Sequence, residues 1–165
     1  MKIPQDVLKL LNEQFYNELY AAHIYFGMSA YFKRSPYQGF ASWMSIQAKE
    51  EMSHAMKIYN FLNERDAPFE TAPIPKPEKD LYDSPLDAFK TAYAHEQLVT
   101  SQITKIFELA NEKKDYATAD LMNWFINEQV EEEHNTYQFV KGLEFAGDDQ
   151  TLIFGVNSWA AKRSE

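Results

Sequence analysis

The sequence predicts an all-α fold, a four-helix bundle with one long crossover and a short fifth C-terminal helix. Apolar residues recur every three or four positions through four segments of about 28 residues each. The breaks within the first and second pairs of segments are short, whereas a Pro-rich stretch of about twenty residues separates the two pairs. Glycine is scarce, with 5 among 165 residues, which argues against an all-β fold.

The first two predicted helices form an antiparallel pair. The first follows Pro4, a residue that suits an initial helical turn, and it ends at the Ser35-Pro36 break. The second runs from about Tyr37 to Arg65. Because only a few residues separate the two helices, the chain must turn back on itself between them.

The long connection is DAPFETAPIPKPEKDLYDSP, residues 66–85. Its prolines exclude the interior of a helix or a central strand. Fully extended, twenty residues reach roughly 65 Å, whereas a helix of 28 residues is roughly 40 Å long. The connection can therefore travel the length of the bundle, and the helices should run up-down, then down-up.

The second pair begins at Ser84, where a capping serine, a proline in the first turn and an acid three residues later mark a helix start. This third helix extends to about Glu112. Asp115 is predicted to cap the fourth helix, which ends at Ala146-Gly147. A short last helix spans about 149–161.

Length and composition limit the classes of protein to which this chain can belong. We expect a single domain over residues 1–165, with the bundle in 1–146 and the short helix in 147–165. The net charge of −9 argues against a nucleic-acid partner, and the absence of cysteine excludes disulfides, thiolate metal sites and thiol nucleophiles. Since no apolar signal stretch and no run of 18 apolar residues occur, we expect a cytoplasmic protein without membrane association.

Polar residues interrupt the inward stripes of all four long helices at the same depth. Each stripe is apolar at both ends and carries ionisable or amide residues near its middle. These residues are Glu18, Gln47, Glu51, His54, Glu96, Gln129 and Glu132. Burying an uncompensated carboxylate costs several kcal/mol, so four of them at one depth need added positive charge. A pair of divalent or trivalent metals would supply that charge.

The residue types match a two-metal site. Glu51 and His54 lie one turn apart on one helical face, so they can share a metal. Di-iron helical bundles take a Glu from each of two helices and Glu-x-x-His from each of the other two. Glu18, Glu96 and the Glu51/His54 pair fill three of these four roles.

The fourth helix offers two competing registers. Glu131 and His134 form a literal Glu-x-x-His, but the residues that continue this register are mostly polar. The register of Gln129 and Glu132 is apolar on both sides, and a shift of two residues rotates a side chain by about 200°. We therefore expect Gln129 and Glu132 to point inward and His134 outward. An amide in place of a carboxylate should hold one of the two metals less tightly.

Several other side chains have both a structural and a functional interpretation. Tyr25 follows Glu18 by seven residues and can hydrogen-bond a ligand or donate an electron, although a packed tyrosine with a satisfied hydroxyl is commoner. We expect His23 and His95 to pack or face solvent rather than to bind metal. Met52 could bind a haem iron only if it faced a partner subunit, and we favour packing.

Three acids flank the inward stripes, and two interpretations of them remain open. They form either a solvated face or a second, more exposed metal site. They are Glu50, Glu128 and Glu131.

With these residues in place, the chain resembles the ferritins, specifically the non-haem bacterial and archaeal type, over nearly its whole length. The resemblance rests on four motifs around the candidate ligands, and the short last segment resembles the fifth helix of that family. The motifs are NEQFYNELYAAHIY, AKEEMSHAMKIYNFL, YAHEQLVT and WFINEQVEEE.

The resemblance implies a cage of 24 identical subunits that oxidises Fe²⁺ with O₂ or H₂O₂ and stores Fe³⁺ as a mineral. It implies that Glu18, Glu51 and His54 bind the first iron. Glu51 would bridge to a second iron, which Glu96 would complete with support from Gln129. By the same resemblance, Tyr25 matches a tyrosine beside the centre.

The resemblance also implies a third iron site, formed by Glu50, Glu128, Glu131 and Glu132. The predicted register places Glu132 inside the bundle, and a carboxylate at its inner edge can serve both sites. Bacterioferritin has a full second Glu-x-x-His where this chain has Gln129 and Glu132, so haem is not expected. The alternative functions are a di-iron oxidase or oxygenase acting on an organic substrate, and a metal-free helical interaction protein.

Overall fold

The computed structural model describes residues 2–163, and in that range it contains five helices and no strand. The fold is a four-helix bundle with a short fifth helix, as the sequence predicts. The helices are α1 (Gln5–Lys33), α2 (Gln38–Glu64), α3 (Pro85–Glu112), α4 (Tyr116–Ala146) and α5 (Gln150–Ala160).

The helix directions follow the predicted up-down, down-up order. Helix α1 packs against α2 and α3, and α3 packs against α4. Asp6 at the start of α1 forms a 3.1 Å ion pair with Lys113 at the end of α3, so these two helices are antiparallel. Arg65 and Asp115 form a 3.0 Å ion pair that likewise joins the end of α2 to the start of α4.

The crossover, residues 65–84, carries no helix and runs along α1. Near its beginning, the backbone N–H of Glu70 donates to Asn12 Oδ1 at 2.8 Å. Near its end, the buried Tyr82 packs edge-on against Tyr31 of α1, with ring centroids 5.3 Å apart. Contacts near both ends of α1 show that the crossover spans the bundle.

The predicted helix starts are confirmed at Ser84 and Asp115, but only Ser84 caps its helix through its side chain. The Ser84 hydroxyl accepts the backbone N–H of Asp87 at 3.1 Å, as expected of a cap. Asp115 precedes α4, but its side chain accepts from no backbone N–H of that helix. The carboxylate instead binds the Arg65 guanidinium and the Thr118 hydroxyl, at 3.0 and 2.7 Å. The Asp115 side chain therefore joins α4 to the end of α2 instead of accepting the first N–H groups of its own helix.

Two apolar clusters fill the bundle and leave a polar layer between them. One cluster is rich in aromatic rings and includes Tyr25, Phe32, Phe40, Phe89 and Phe139. The other is mainly aliphatic and includes Leu11, Ile58, Ile103, Ile106 and Phe125. Several partly buried side chains pack at the rim of the second cluster, among them Phe15, Phe61 and Leu121.

Helix α5 packs against α2 and α4 at a very close approach. A Cβ atom at Gly39 would lie 2.0 Å from the Asn157 carbonyl oxygen, so only glycine fits there. Asn157 Oδ1 accepts the backbone N–H of Phe40 at 3.0 Å, which satisfies a donor at the start of α2. None of the described helices has the length and apolar character required to cross a membrane.

Candidate metal centre

The polar layer brings together the inward residues of all four long helices. Each of the six predicted ligand-type residues is at most 5% exposed. They are Glu18, Glu51, His54, Glu96, Gln129 and Glu132. The two apolar clusters on either side of this layer keep it away from bulk water.

Glu18, Glu51 and His54 form one half of the centre. His54 Nδ1 lies 3.1 Å from Glu51 Oε2 and 3.9 Å from Glu18 Oε2. Each residue can present one ligand atom within 4.8 Å of the others. Glu18 Oε2 is buried and finds no hydrogen-bond partner in the described part of the chain. A cation would satisfy this oxygen, so the donor set fits a metal ion.

The protonation states in this half depend on burial and on His54. Burial, followed by the negative charge of Glu51, raises the pKa of Glu18 well above its usual range. Burial alone would raise the pKa of Glu51, but hydrogen bonding to His54 and its positive charge hold it below the usual value. Burial opposes a charged His54, yet the hydrogen bond and charge of Glu51 raise the His54 pKa to about 9. His54 and Glu51 therefore compensate each other without metal.

Glu96 lies in the other half and is held by two hydrogen-bond donors. The Tyr25 hydroxyl donates to Glu96 Oε1, and Gln129 Nε2 donates to Glu96 Oε2 at 3.1 Å. Burial, followed by the charge of Glu51, raises the pKa of Glu96 to about 8. Burial and the neighbouring Glu96 also raise the pKa of Tyr25 well above 10.0. Tyr25 therefore stays a neutral donor that orients Glu96.

Two further glutamines hold the carboxylates of the centre, and neither is among the predicted ligands. Gln14 Nε2 donates to Glu18 Oε1 at 2.8 Å. Gln47 Nε2 donates to Glu51 Oε1 at 2.8 Å and to Glu132 Oε2 at 2.7 Å. Each glutamine precedes a candidate ligand by four residues, and that spacing was the signal that could have found both.

The register predicted for α4 is confirmed. Gln129 and Glu132 are buried, whereas Glu131 and His134 are exposed. Burial and the charge of Glu51 raise the pKa of Glu132 well above its usual range.

The three flanking acids lie on the rim of the centre rather than inside it. Glu128 is partly exposed, and its Oε2 lies 3.9 Å from His54 Nε2. Glu50 and Glu131 line a cleft of about 490 Å³ next to α5, where the Glu50 carboxylate accepts a hydrogen bond from Arg163. The Glu128 contact brings the rim close to the buried His54.

The remaining candidates are not part of the buried ligand set. His23 is exposed. His95 is partly buried and packs edge-on against Tyr20, and burial lowers its pKa. Met52 is 46% exposed on the outer face of α2.

Comparison with known proteins agrees with this geometry. Residues 8–146 match the ferritin family, described as the ferritin-like domain. The bacterial non-heme ferritin of Staphylococcus aureus (strain USA300) is 40% identical over 152 residues, covering 92% of this chain and 91% of that relative. The bacterial non-heme ferritin of Staphylococcus haemolyticus (strain JCSC1435) is 40% identical over 164 residues, covering 98% and 97%.

Solved structures show the same similarity. An open pore ferritin from the hyperthermophilic archaeon Archaeoglobus fulgidus superposes with a TM-score of 0.96 at 34% identity, covering 99% of this chain and 100% of that one. A closed form of the same ferritin, engineered by site-directed mutagenesis, gives a TM-score of 0.95 at 34% identity, covering 99% of both chains.

The fold and the site thus define a helical bundle with a buried cluster of carboxylate and imidazole side chains that could hold a metal ion. The chain belongs to the ferritin family and resembles its non-haem members. This membership supports a role in iron storage.

Proposed function

We propose that this protein is an iron-storage ferritin that oxidises Fe²⁺ to Fe³⁺ at an intrasubunit di-iron ferroxidase centre and deposits ferric mineral inside a multisubunit cage. One observation carries the proposal. Glutamates from all four helices converge with His54 in a dry layer, where a buried carboxylate oxygen has no hydrogen-bond partner among residues 2–163. Iron is the substrate of this site as well as the stored cargo.

Each side chain has a distinct role in this proposal. Glu18, Glu51 and His54 bind the first iron, and Glu51 also bridges to the second. Glu96 completes the second iron, with support from Gln129. Tyr25 holds Glu96 through the hydrogen bond that its hydroxyl donates.

In the redox step, the oxidant accepts the electrons that the iron ions release. Two Fe²⁺ ions give up two electrons, and O₂ takes up these electrons with two protons and leaves as H₂O₂. When H₂O₂ is the oxidant, two electrons and two protons convert it into two water molecules. Anionic carboxylate oxygens stabilise the higher charge of Fe³⁺, so the ligand set favours oxidation.

The two iron positions have different ligands, and this difference explains how the product Fe³⁺ is released. Gln129 supplies an amide where a carboxylate would bind more strongly, so the second iron is held less tightly and Fe³⁺ can leave. Glu50, Glu128, Glu131 and Glu132 form a third iron site on the way to the cavity. An acidic interior of the shell would attract cations and nucleate mineral, and the chain has a net charge of −9 from which such a surface can be built.

The oligomer in this proposal is a cytoplasmic shell of 24 identical subunits, without nucleic-acid or membrane partners and without haem at Met52. The archaeal structures that this chain resembles are an open pore ferritin and an engineered closed form. We extend a multisubunit shell to this chain, with Fe²⁺ and O₂ or H₂O₂ as its small-molecule partners.

Light scattering combined with iron loading tests storage directly. The purified protein receives several hundred equivalents of Fe²⁺ per cage in air. A species of about 24 subunits that keeps this iron in solution as Fe³⁺ is the expected result. A dimer that binds only about two irons per chain would contradict storage and favour a di-iron oxidase with an organic substrate.

Replacing two ligands tests the centre itself. Glu51→Ala combined with His54→Ala should abolish rapid Fe²⁺ oxidation, measured by stopped-flow absorbance, because the first iron loses its bridging carboxylate and its imidazole. The cage should stay assembled. His134→Ala is the matched control, since His134 is an exposed histidine outside the centre. Disassembly of the double variant would instead assign these residues a structural role.

A further inference from the structure

Arg163 follows α5 and reaches back to α2. Its guanidinium carbon lies 4.7 Å from the centroid of the Trp43 ring. Nη1 donates to Gln47 Oε1 at 2.7 Å, and Nη2 donates to the Glu50 carboxylate. Trp43, Gln47 and Glu50 are spaced by four and three residues, so they lie along one face of α2. Arg163 therefore makes three contacts with a single helical face.

These contacts fix the direction of the buried Gln47 amide. A guanidinium has only donors, so the oxygen of the Gln47 amide must face Arg163. The NH₂ group then faces the opposite way, where it donates to Glu51 and Glu132. A flipped amide would set donor against donor at Arg163 and oxygen against two carboxylates.

The other two contacts hold the guanidinium in place. The Trp43 ring contacts the planar face of the guanidinium through a cation–π interaction, and the Glu50 carboxylate accepts a hydrogen bond from Nη2. Nη1 is then directed at Gln47. The three contacts give the Arg163 guanidinium one defined orientation, which a nonspecific attraction to acidic groups would not do.

We propose that Arg163 is a positioning residue of the buried metal centre, which it orients by fixing the Gln47 amide that holds Glu51 and Glu132. This inference rests on the proposed function, because it concerns carboxylates that we assign to iron. Through Arg163, α5 and the residues after it also influence the geometry of the centre.

Titration with Co²⁺ alone tests this role without any oxidation step. Visible absorption follows Co²⁺ at the centre in the wild-type protein, in Arg163→Gln and in Lys162→Gln. Lys162 is an exposed neighbour that lines the same cleft, so its variant removes the same charge. Loss of an outer residue that orients ligands typically lowers metal affinity by about 10–100-fold. We expect about tenfold weaker binding in Arg163→Gln and less than a twofold change in Lys162→Gln.

A double-mutant cycle separates positioning from general destabilisation. If Arg163 acts through Gln47, adding Arg163→Gln to Gln47→Leu should change Co²⁺ affinity by less than twofold. Arg163→Lys keeps the charge but has no planar fork, so it should bind Co²⁺ with intermediate affinity and serves where Arg163→Gln fails to assemble.

Two results would overturn the inference: equal affinities of Arg163→Gln and Lys162→Gln, or a full tenfold loss that persists in the Gln47→Leu background. Failure of the wild-type protein to bind Co²⁺ would instead remove the proposed centre, and the inference with it.

Discussion

Individual carboxyl groups of the centre differ in how readily they ionise. Burial raises the pKa of Glu96 from 4.5 to about 8, whereas the contacts of Glu51 with His54 keep the Glu51 pKa low. When no metal is bound, some of these carboxyl groups are protonated and others are ionised, so the layer does not carry four adjacent negative charges. Metal binding must then displace protons, which links the affinity for metal to pH.

This linkage predicts how the stability of the metal-free protein changes with pH. A group with a raised pKa in the folded state stabilises the fold below its unfolded pKa and loses that contribution as pH rises through its folded pKa. For Glu96 the loss falls between 4.5 and about 8, and for His54 between 6.5 and about 9. We expect the melting temperature of chelator-treated protein to fall from pH 5 to pH 9, as measured by calorimetry.

Two further measurements complete this prediction. The rise in melting temperature caused by Co²⁺ should grow over the same pH range, because fewer protons compete with the metal. Glu96→Gln should show a shallower dependence on pH, since the amide does not titrate. A melting temperature that rises steadily towards pH 9 without metal would contradict the linkage.

At the scale of the helices, the hydrophobic pattern correctly predicted which side chains near the middle of each helix point inward. The pattern of α4 placed Gln129 inward even though Glu131 and His134 form the more obvious motif. It could not reveal the contact of Arg163 with Gln47, because that contact depends on the path of the chain after α5. For the same reason it could not show that the Asp115 side chain, at the predicted N-cap of α4, would pair with Arg65 at the end of α2.

The docking of α5 on α2 makes a prediction about packing. Gly39→Ala would place a methyl group 2.0 Å from the Asn157 carbonyl oxygen, so α5 must move away from α2. Overpacking of this kind costs about 1–3 kcal/mol, measured as the free energy of unfolding in denaturant. Hydrogen exchange should also accelerate in α5. Gly27→Ala is the matched control, because its Cβ would meet no atom of residues 2–163 within 4 Å and alanine favours a helix.

Equal stability of the Gly39 and Gly27 variants would contradict this close approach. If α5 does move, the Gly39 variant should also weaken Co²⁺ binding, because Arg163 would lose its contact with Gln47.

At the scale of the whole molecule, the polar layer joins two helical hairpins. Tyr25 of α1 donates to Glu96 of α3, and Gln47 of α2 donates to Glu132 of α4. In the proposed centre, a metal pair draws on the same four helices. Metal should therefore stabilise the docking of one hairpin on the other rather than one helix alone.

We therefore predict that metal binding stabilises the whole four-helix bundle. A ligand at 100 times its dissociation constant adds about 2.7 kcal/mol of stability when it binds only the folded state. For a chain of this size that corresponds to a rise of roughly 5–10 °C in melting temperature, measured with Co²⁺ against chelator. Hydrogen exchange should slow at the middle of all four long helices, and Glu51→Ala with His54→Ala should show neither effect. Protection confined to α2 would mean that the ion binds within one hairpin, because a metal that bridges the hairpins must restrain both of them.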